Sequence, residues 1–200
     1  QVVRFAVSQP DIDDALADSR PALLEGFRAD DLSIRTYGDR LVAGGGSPSA
    51  GVSDRLRSAL RAASRACWER QRVAVMTTAQ PEPDDQDLLG DDLHEEALRT
   101  VRALGFESAM IVPIGAGRRS LGHLILFRED GALAWTPDER VGALEVARDI
   151  GQAVLASRNL AREQRLVSEL RALDTYKTRL LSTVSHELKN PLGAIAGHLE

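Results

Sequence analysis

Between Asp138 and Asn190 the chain contains no proline and reads as one helix. At 1.5 Å per residue such a helix would extend between roughly 75 and 80 Å, several times the usual globular length. No small core covers it, so it must pack against a partner helix. Leu166, Leu170, Leu173, Leu180 and Val184 follow a 4,3 spacing in which Lys177 is the one break, whereas Val146, Ile150 and Ala153 keep a different phase. The seam therefore shifts between about 154 and 166. This predicts a first part packed on a β-containing domain and a second part forming a dimeric coiled coil. The pattern alone leaves open a single amphipathic helix folded back on its own domain.

Upstream, Ile12, Leu16, Leu23, Leu24 and Phe27 stand at roughly helical spacing, with Pro21 as a kink or restart. DLSIRTYG, from residue 31, alternates as a half-buried strand, and AGGGSPSAG from residue 43 reads as a loop or hairpin region. A helix from Val52 to Gln71 would carry Leu56, Leu60, Ala63 and Cys67 on one stripe and arginines on the other; RVAVMTT after it has the β-branched density of a strand. Residues 82–96 hold many carboxylates and no Lys or Arg, which reads as a solvated loop rather than a cation site. Asp92 and Glu95 have the spacing of a helix cap and its reciprocal partner, opening a helix that Gly105 ends. AMIVPI and LGHLILF flank GAGRRS as an antiparallel hairpin, with Pro113 marking an edge or local break.

A net charge of −5 gives no broad basic field, so nucleic acid is not an expected partner. The single cysteine, Cys67, cannot close an intramolecular disulfide, which favours a reducing compartment. With no apolar run of about 18 residues and no signal-peptide pattern, the segment is expected to be soluble and cytoplasmic. The sequence opens at Gln1 and stops at Glu200 in mid-pattern, so both ends read as cut from something longer. Membrane attachment of the parent protein stays open.

The order helix, strand, loop, helix, strand, acidic loop, helix, hairpin, long helix resembles a GAF domain over residues 1–157. The resemblance is carried best by ESAMIVPIGAGRRSLGHLILFRED and the following WTPDERVGALEVARDIGQAVLASRNL. It implies an α+β fold, an antiparallel sheet flanked by helices, whose last helix leaves toward an effector. It also implies a small-molecule pocket on the sheet face opposite that helix, closed by residues 53–70 and 79–93. The ligand is unknown from sequence. The Asn-Lys and Phe-Asp-Glu signature of cyclic-nucleotide sensors is absent. Haem would need an inward imidazole, and His94 and His123, the candidates, each read as a satisfied structural histidine. Bilin attachment uses a pocket cysteine next to histidine, but Cys67 precedes Trp68 and reads as a buried small residue. A GAF domain serving only dimerisation and signal relay stays open.

Near the C-terminus, HELKN begins like the zinc-protease motif HExxH, in which histidines one helical turn apart ligate the metal. Asn190 occupies the second-histidine position and Pro191 follows at once. Amides are poor zinc ligands, and His198 lies eight residues further on across a probable kink, so no metal is expected. VSHELKNPL instead resembles the H-box of sensor histidine kinases, matching from Ser185 to Leu192 without a gap; Leu180 stands where that family often has Phe. An imidazole with a pKa near about 6.5 is a competent nucleophile at neutral pH.

The resemblance implies that His186 attacks the γ-phosphate of ATP and that Glu187 is the general base at the other ring nitrogen. It implies that Asn190, one turn on, positions water for dephosphorylation of a response regulator. Pro191 would bend the helix just beyond the reacting face. The expected organisation is a GAF-like sensor domain at 1–157, a coiled-coil signalling helix at 158–175, and the start of a dimerisation and phosphoacceptor domain at 176–200. A homodimer through the helix 158–190 and a response-regulator receiver domain are the implied protein partners. ATP and Mg would be bound by a domain beyond Glu200, so the segment alone should carry the acceptor without the catalyst. The alternative is a GAF-type ligand-binding or dimerisation module without kinase activity.

Overall fold

The structure is a computed structural model that describes residues 12–37, 41–44, 53–77, 91–129 and 134–196, with side chains described for 15–37, 53–77, 94–129 and 134–181. In chain order the elements are α1 (Ile12–Asp18), α2 (Arg20–Phe27), β1 (Asp31–Thr36), β2 (Leu41–Gly44), α3 (Asp54–Arg70), β3 (Ala74–Thr77), α4 (Asp91–Ala103), β4 (Ser108–Ala116), β5 (Arg119–Arg128) and α5 (Pro137–Ala196). The chain divides into two compact units, Gln1–Ser157 and Arg158–Glu200. Most of the acidic run, residues 82–90, lies outside the described residues.

In the first unit the five strands form one antiparallel sheet in the order β2-β1-β5-β4-β3. The hairpin β4–β5 is its centre. A two-residue turn joins the two strands, with Ala116 opposite Arg119 and Gly117 at φ 56°, the left-handed conformation that a tight hairpin asks of its first turn residue. Pro113 lies in this central hairpin, paired with His123, but the β3 ladder ends at Ile111. Beyond that point β4 has, among the described residues, a neighbour on one side only, so the missing N–H of Pro113 interrupts no second ladder there.

Both faces of the sheet are covered, which is why the hairpin runs are apolar almost throughout. Leu32, Ile34, Met110, Val112, Leu124 and Leu126 point to one side, against Leu16 and Leu23 of the first helices and Ala143, Ala147, Ile150 and Val154 of α5. Met76, Ala109, Ile111, Ile125 and Phe127 point to the other, against Leu56, Ala63 and Cys67 of α3 and Ala97 and Val101 of α4. Each large aliphatic side chain so buried contributes roughly 1.5–3 kcal/mol.

The helix ends show how local chemistry sets these packings. Pro21 sits at the start of α2, directly after the break at Ser19, so the restart predicted there is present. Helix α4 ends in a Schellman turn: Phe106 N–H donates to Val101 O (3.1 Å), Gly105 N–H donates to Arg102 O (2.9 Å), and Gly105 has φ +90°. Arg28 and Gln71 hold the same left-handed position after α2 and α3 without being glycine. Helix α4 begins at Asp91, which places Asp92 inside the helix, and the described partner of Glu95 is Arg99 at 3.2 Å. The reciprocal cap occurs instead at α5, where Thr136 Oγ1 accepts from Glu139 N–H (3.2 Å) and Glu139 Oε2 accepts from Thr136 N–H (2.8 Å).

Helix α5 is longer than expected, since its 60 residues continue through Pro191 to Ala196. Its buried residues Ala143, Ala147, Ile150 and Val154 end at the boundary of the first unit. From Leu160 to Leu181 its large apolar side chains are exposed in the single chain.

Candidate functional site

On the face covered by α3 and α4, opposite α5, the first unit encloses a cavity of about 80 Å³. Its apolar wall comes from Leu56 and Leu60 of α3, Val101 of α4 and Leu104 in the turn after it, and Met76, Ile125 and Phe127 of the sheet. Three strand residues give it polar character. Ser33 and Arg35 project from β1 on the face that Leu32 and Ile34 leave, and His123 stands directly opposite Arg35 on β5. Arg57 of α3 completes the cationic side, and among the described residues the lining includes no carboxylate.

Close backbone approach fixes this corner. A Cβ at Gly122 would lie 2.3 Å from Arg35 O, so glycine alone lets β1 run this close to β5 beside His123. The hydroxyl of Ser64 in α3 donates to Gly122 O at 2.9 Å and holds the helix over the same point. The His123 ring meets Tyr37 edge-on, with centroids 6.1 Å apart, and the Arg61 guanidinium lies over the Tyr37 ring at 5.9 Å.

His123 is 4% exposed and its Nδ1 has no hydrogen-bond partner among the described residues. Burial first, and then the positive charges of Arg35 and Arg61, push its pKa down to about 4. The imidazole is therefore neutral at physiological pH and can donate from one ring nitrogen. Arg35 is also held below its ordinary range, by burial and then by Arg57 and Arg61. These cations repel one another, and an anion entering the cavity would relieve that repulsion.

Neither histidine weighed for haem is the satisfied structural residue that the sequence suggested. Among the described residues His94, buried in α4, has no hydrogen-bond partner at either ring nitrogen, and His123 faces the cavity. A polar residue buried without a partner is costly as mere packing. Cys67 is fully buried among the apolar residues between sheet and α3, as expected, and does not line the cavity. Among the described residues no group of three or more His, Cys, Asp or Glu side chains could hold a metal ion. Among them, too, no helix is long and apolar enough to cross a membrane.

The H-box residues lie in the second unit. His186, Glu187 and Asn190 are on the backbone of α5, with His186 and Asn190 one helical turn apart. Their side chains, and His198 altogether, are outside the described residues. The structure brings the sequence-derived site residues together only as neighbours on one helix.

Sequence reasoning missed Arg35 and Arg57 as cavity residues. A signal for Arg35 was present in the period-2 alternation of DLSIRT, which puts Ser33 and Arg35 together on the face opposite Leu32 and Ile34. For Arg57 no such signal exists, because an arginine on a helix flank reads as solvated until its neighbour in space is known.

No protein-family model matches the chain, and no curated protein matches it. Solved structures do. A bacteriophytochrome from the photosynthetic bacterium R. palustris aligns with 86% of the chain at a TM-score of 0.58 and 14% identity. The aligned part is 39% of that structure, so this chain corresponds to well under half of it. The phycoerythrobilin-bound GAF domain of a cyanobacterial phytochrome aligns with 80% of the chain and 96% of its own length, at a TM-score of 0.55 and 15% identity. A domain assigned to a two-component sensor histidine kinase of Sinorhizobium meliloti 1021 aligns over 76% of the chain and 97% of its own length, at a TM-score of 0.50 and 15% identity. At such identities the likeness is one of fold. The chain has a GAF-like α+β fold, an antiparallel sheet between two helical layers, with a long C-terminal helix.

Proposed function

We propose that the chain is the input and phosphoacceptor part of a two-component histidine kinase. In this reading residues 1–157 are a GAF-type sensor, 158–175 a coiled-coil signalling helix, and 176–200 the first part of the dimerisation and phosphoacceptor domain. The observation that carries it is the ungapped H-box from Ser185 to Leu192, lying on the same helix α5 that begins in the GAF-like unit. The solved domain assigned to a sensor histidine kinase supports this context.

In the proposed reaction a ring nitrogen of His186 attacks the γ-phosphorus of ATP, forming an N–P bond as the bond to the bridging β,γ-oxygen breaks and ADP leaves. Glu187 takes the proton from the other ring nitrogen, which raises the nucleophilicity of the attacking one. ATP and Mg are held by a separate ATP-binding domain. The phosphoryl group then passes to an aspartate of a response-regulator receiver domain, and Asn190 positions water when that aspartyl phosphate is hydrolysed. Dimerisation runs through the helix 158–190, where Leu166 (51% exposed), Leu170 (65%) and Leu173 (64%) form an uncovered apolar stripe.

A second reading, a ligand-binding GAF module without kinase activity, is favoured by the cavity itself, which needs no phosphoacceptor to be useful. Phosphate labelling separates the two. A chain extended to include an ATP-binding domain, incubated with ATP, is expected to acquire acid-labile phosphate that His186→Gln abolishes. Undiminished labelling in that variant would overturn the assignment.

A further inference from the structure

The cavity also limits what can occupy it. A cavity of about 150 Å³ lined by aliphatic and aromatic side chains takes up benzene, which has six non-hydrogen atoms. On that scale the 80 Å³ here holds about three or four such atoms. A tetrapyrrole, with tens of non-hydrogen atoms, does not fit. The wall that would receive those atoms is apolar, so an alkyl chain suits it better than a sugar or a base.

The polar rim has a definite sign. Arg35 and Arg57 line the cavity, and among the described residues no Asp or Glu does. The Arg35 guanidinium has no hydrogen-bonding or ion-pair partner among the described residues. His123, itself more than nine-tenths buried, offers a ring nitrogen with no partner beside it. Cationic donors and a neutral imidazole donor converge where an alkyl chain would end, and a carboxylate accepts from both.

We propose that this cavity binds a short monocarboxylate, its alkyl tail of three or four carbons against Leu56, Met76, Val101 and Phe127 and its carboxylate received by Arg35 and His123. The inference rests on the reading of the first unit as a ligand-binding input domain, and it is independent of the phosphoacceptor chemistry. The tail is buried and the charge stays at the cationic side. Length discrimination therefore comes from the cavity floor and charge discrimination from Arg35.

The test is an NMR titration of the 200-residue chain with sodium butyrate at constant ionic strength, compared with butyramide, which has the same number of non-hydrogen atoms but no charge. Saturable shifts are expected at Ser33, Arg35 and the His123 ring, with butyramide at least tenfold weaker. Octanoate should bind no more tightly than butyrate. Arg35→Gln should weaken butyrate at least tenfold, and Arg57→Gln, at a half-buried position of α3, should weaken it severalfold. Equal affinity for butyrate and butyramide, tighter binding of octanoate, unchanged affinity in both arginine variants, or absence of saturable shifts would each overturn the proposal. Phosphate labelling of His186 in the extended chain is read separately. Labelling without butyrate binding defeats the ligand alone, and butyrate binding without labelling defeats the phosphoacceptor alone.

Discussion

Acid should destabilise the first unit well above the range in which carboxylates protonate, and His123 is the reason. An imidazole in the unfolded chain takes up a proton near pH 6.5, whereas in the folded protein burial and the charges of Arg35 and Arg61 delay this to about 4. A depressed folded pKa contributes stability that is fully present above about pH 6.5 and is lost as pH falls from there toward 4. Between pH 7 and pH 5 the linkage amounts to about 2 kcal/mol, rising to about 3 kcal/mol by pH 4. Against a total of about 5–15 kcal/mol for a domain this is a large share.

Urea unfolding followed at intervals from pH 7 to pH 5 measures it, and His123→Gln, neutral at every pH, should remove most of the slope. Among the described residues the charged groups around the ring are all cations, Arg35 and Arg57 in the cavity and Arg61 beside it, and give no route to an opposite sign. An NMR titration placing the His123 pKa at 6 or above, or an unchanged pH dependence in His123→Gln, would refute the reasoning.

Three further outcomes follow from packing. Arg128 is 1% exposed, donates to Phe27 O (2.7 Å), Arg28 O (3.2 Å), Ala134 O (3.1 Å) and Glu139 Oε1 (2.7 Å), and lies 3.6 Å from the centre of the Trp135 ring. Arg128→Met should therefore cost about 3–5 kcal/mol in urea unfolding, and adding Glu139→Gln should recover part of the loss. A Cβ at Gly151 would stand 2.0 Å from Gly115 O, whereas at Gly142 the nearest atom, in Phe27, is 3.8 Å away. Gly151→Ala should lower stability by about 1–3 kcal/mol, while Gly142→Ala should raise it by about 0.5–1 kcal/mol, both read by thermal melting. Leu170→Glu combined with Leu173→Glu should convert a sedimenting dimer to monomer and leave the melting of the first unit unchanged.

The elements were legible where one local pattern decided them. The stripe Leu56, Leu60, Ala63 and Cys67 packs on the sheet as its periodicity requires, and Gly105 ends α4 because it alone of the three C-terminal left-handed positions is glycine. The corresponding turns at Arg28 and Gln71 carry no such mark; tertiary hydrogen bonds hold them, among them Arg128 to Arg28 O and Arg148 to Gln71 at 2.7 Å. The spacing of Asp92 and Glu95 predicts a capping pair for α4, but Asp92 lies inside that helix, because the acidic run offers the right spacing at many registers; the reciprocal cap described is that of α5, at Thr136 and Glu139. The cavity was the least legible part. It depends on β1 and β5 lying side by side, which places Arg35 opposite His123 across 88 residues of sequence. No spacing rule reaches that far.

That same strand, β5, links the cavity to the outgoing helix. Its residues His123, Ile125 and Phe127 line the cavity, and its last residue, Arg128, grips Glu139 in the first turn of α5. Burial raises the Glu139 pKa, but hydrogen bonds from the Thr136 N–H and from Arg128 outweigh it and hold the carboxylate below its usual range, so the pair stays charged through neutral pH. One oxygen of Glu139 caps the helix while the other takes Arg128, and the cap and the clamp are therefore a single joint. Breaking a buried pair of this kind costs about 3–5 kcal/mol, whereas the coupling between two binding sites is typically about 1–3 kcal/mol. A ligand that shifts β5 thus supplies too little free energy to pull it off α5. On the β4 side the helix packs backbone to backbone, since a Cβ at Gly151 would stand 2.0 Å from Gly115 O. The start of α5 must therefore follow β5 rather than slip against it.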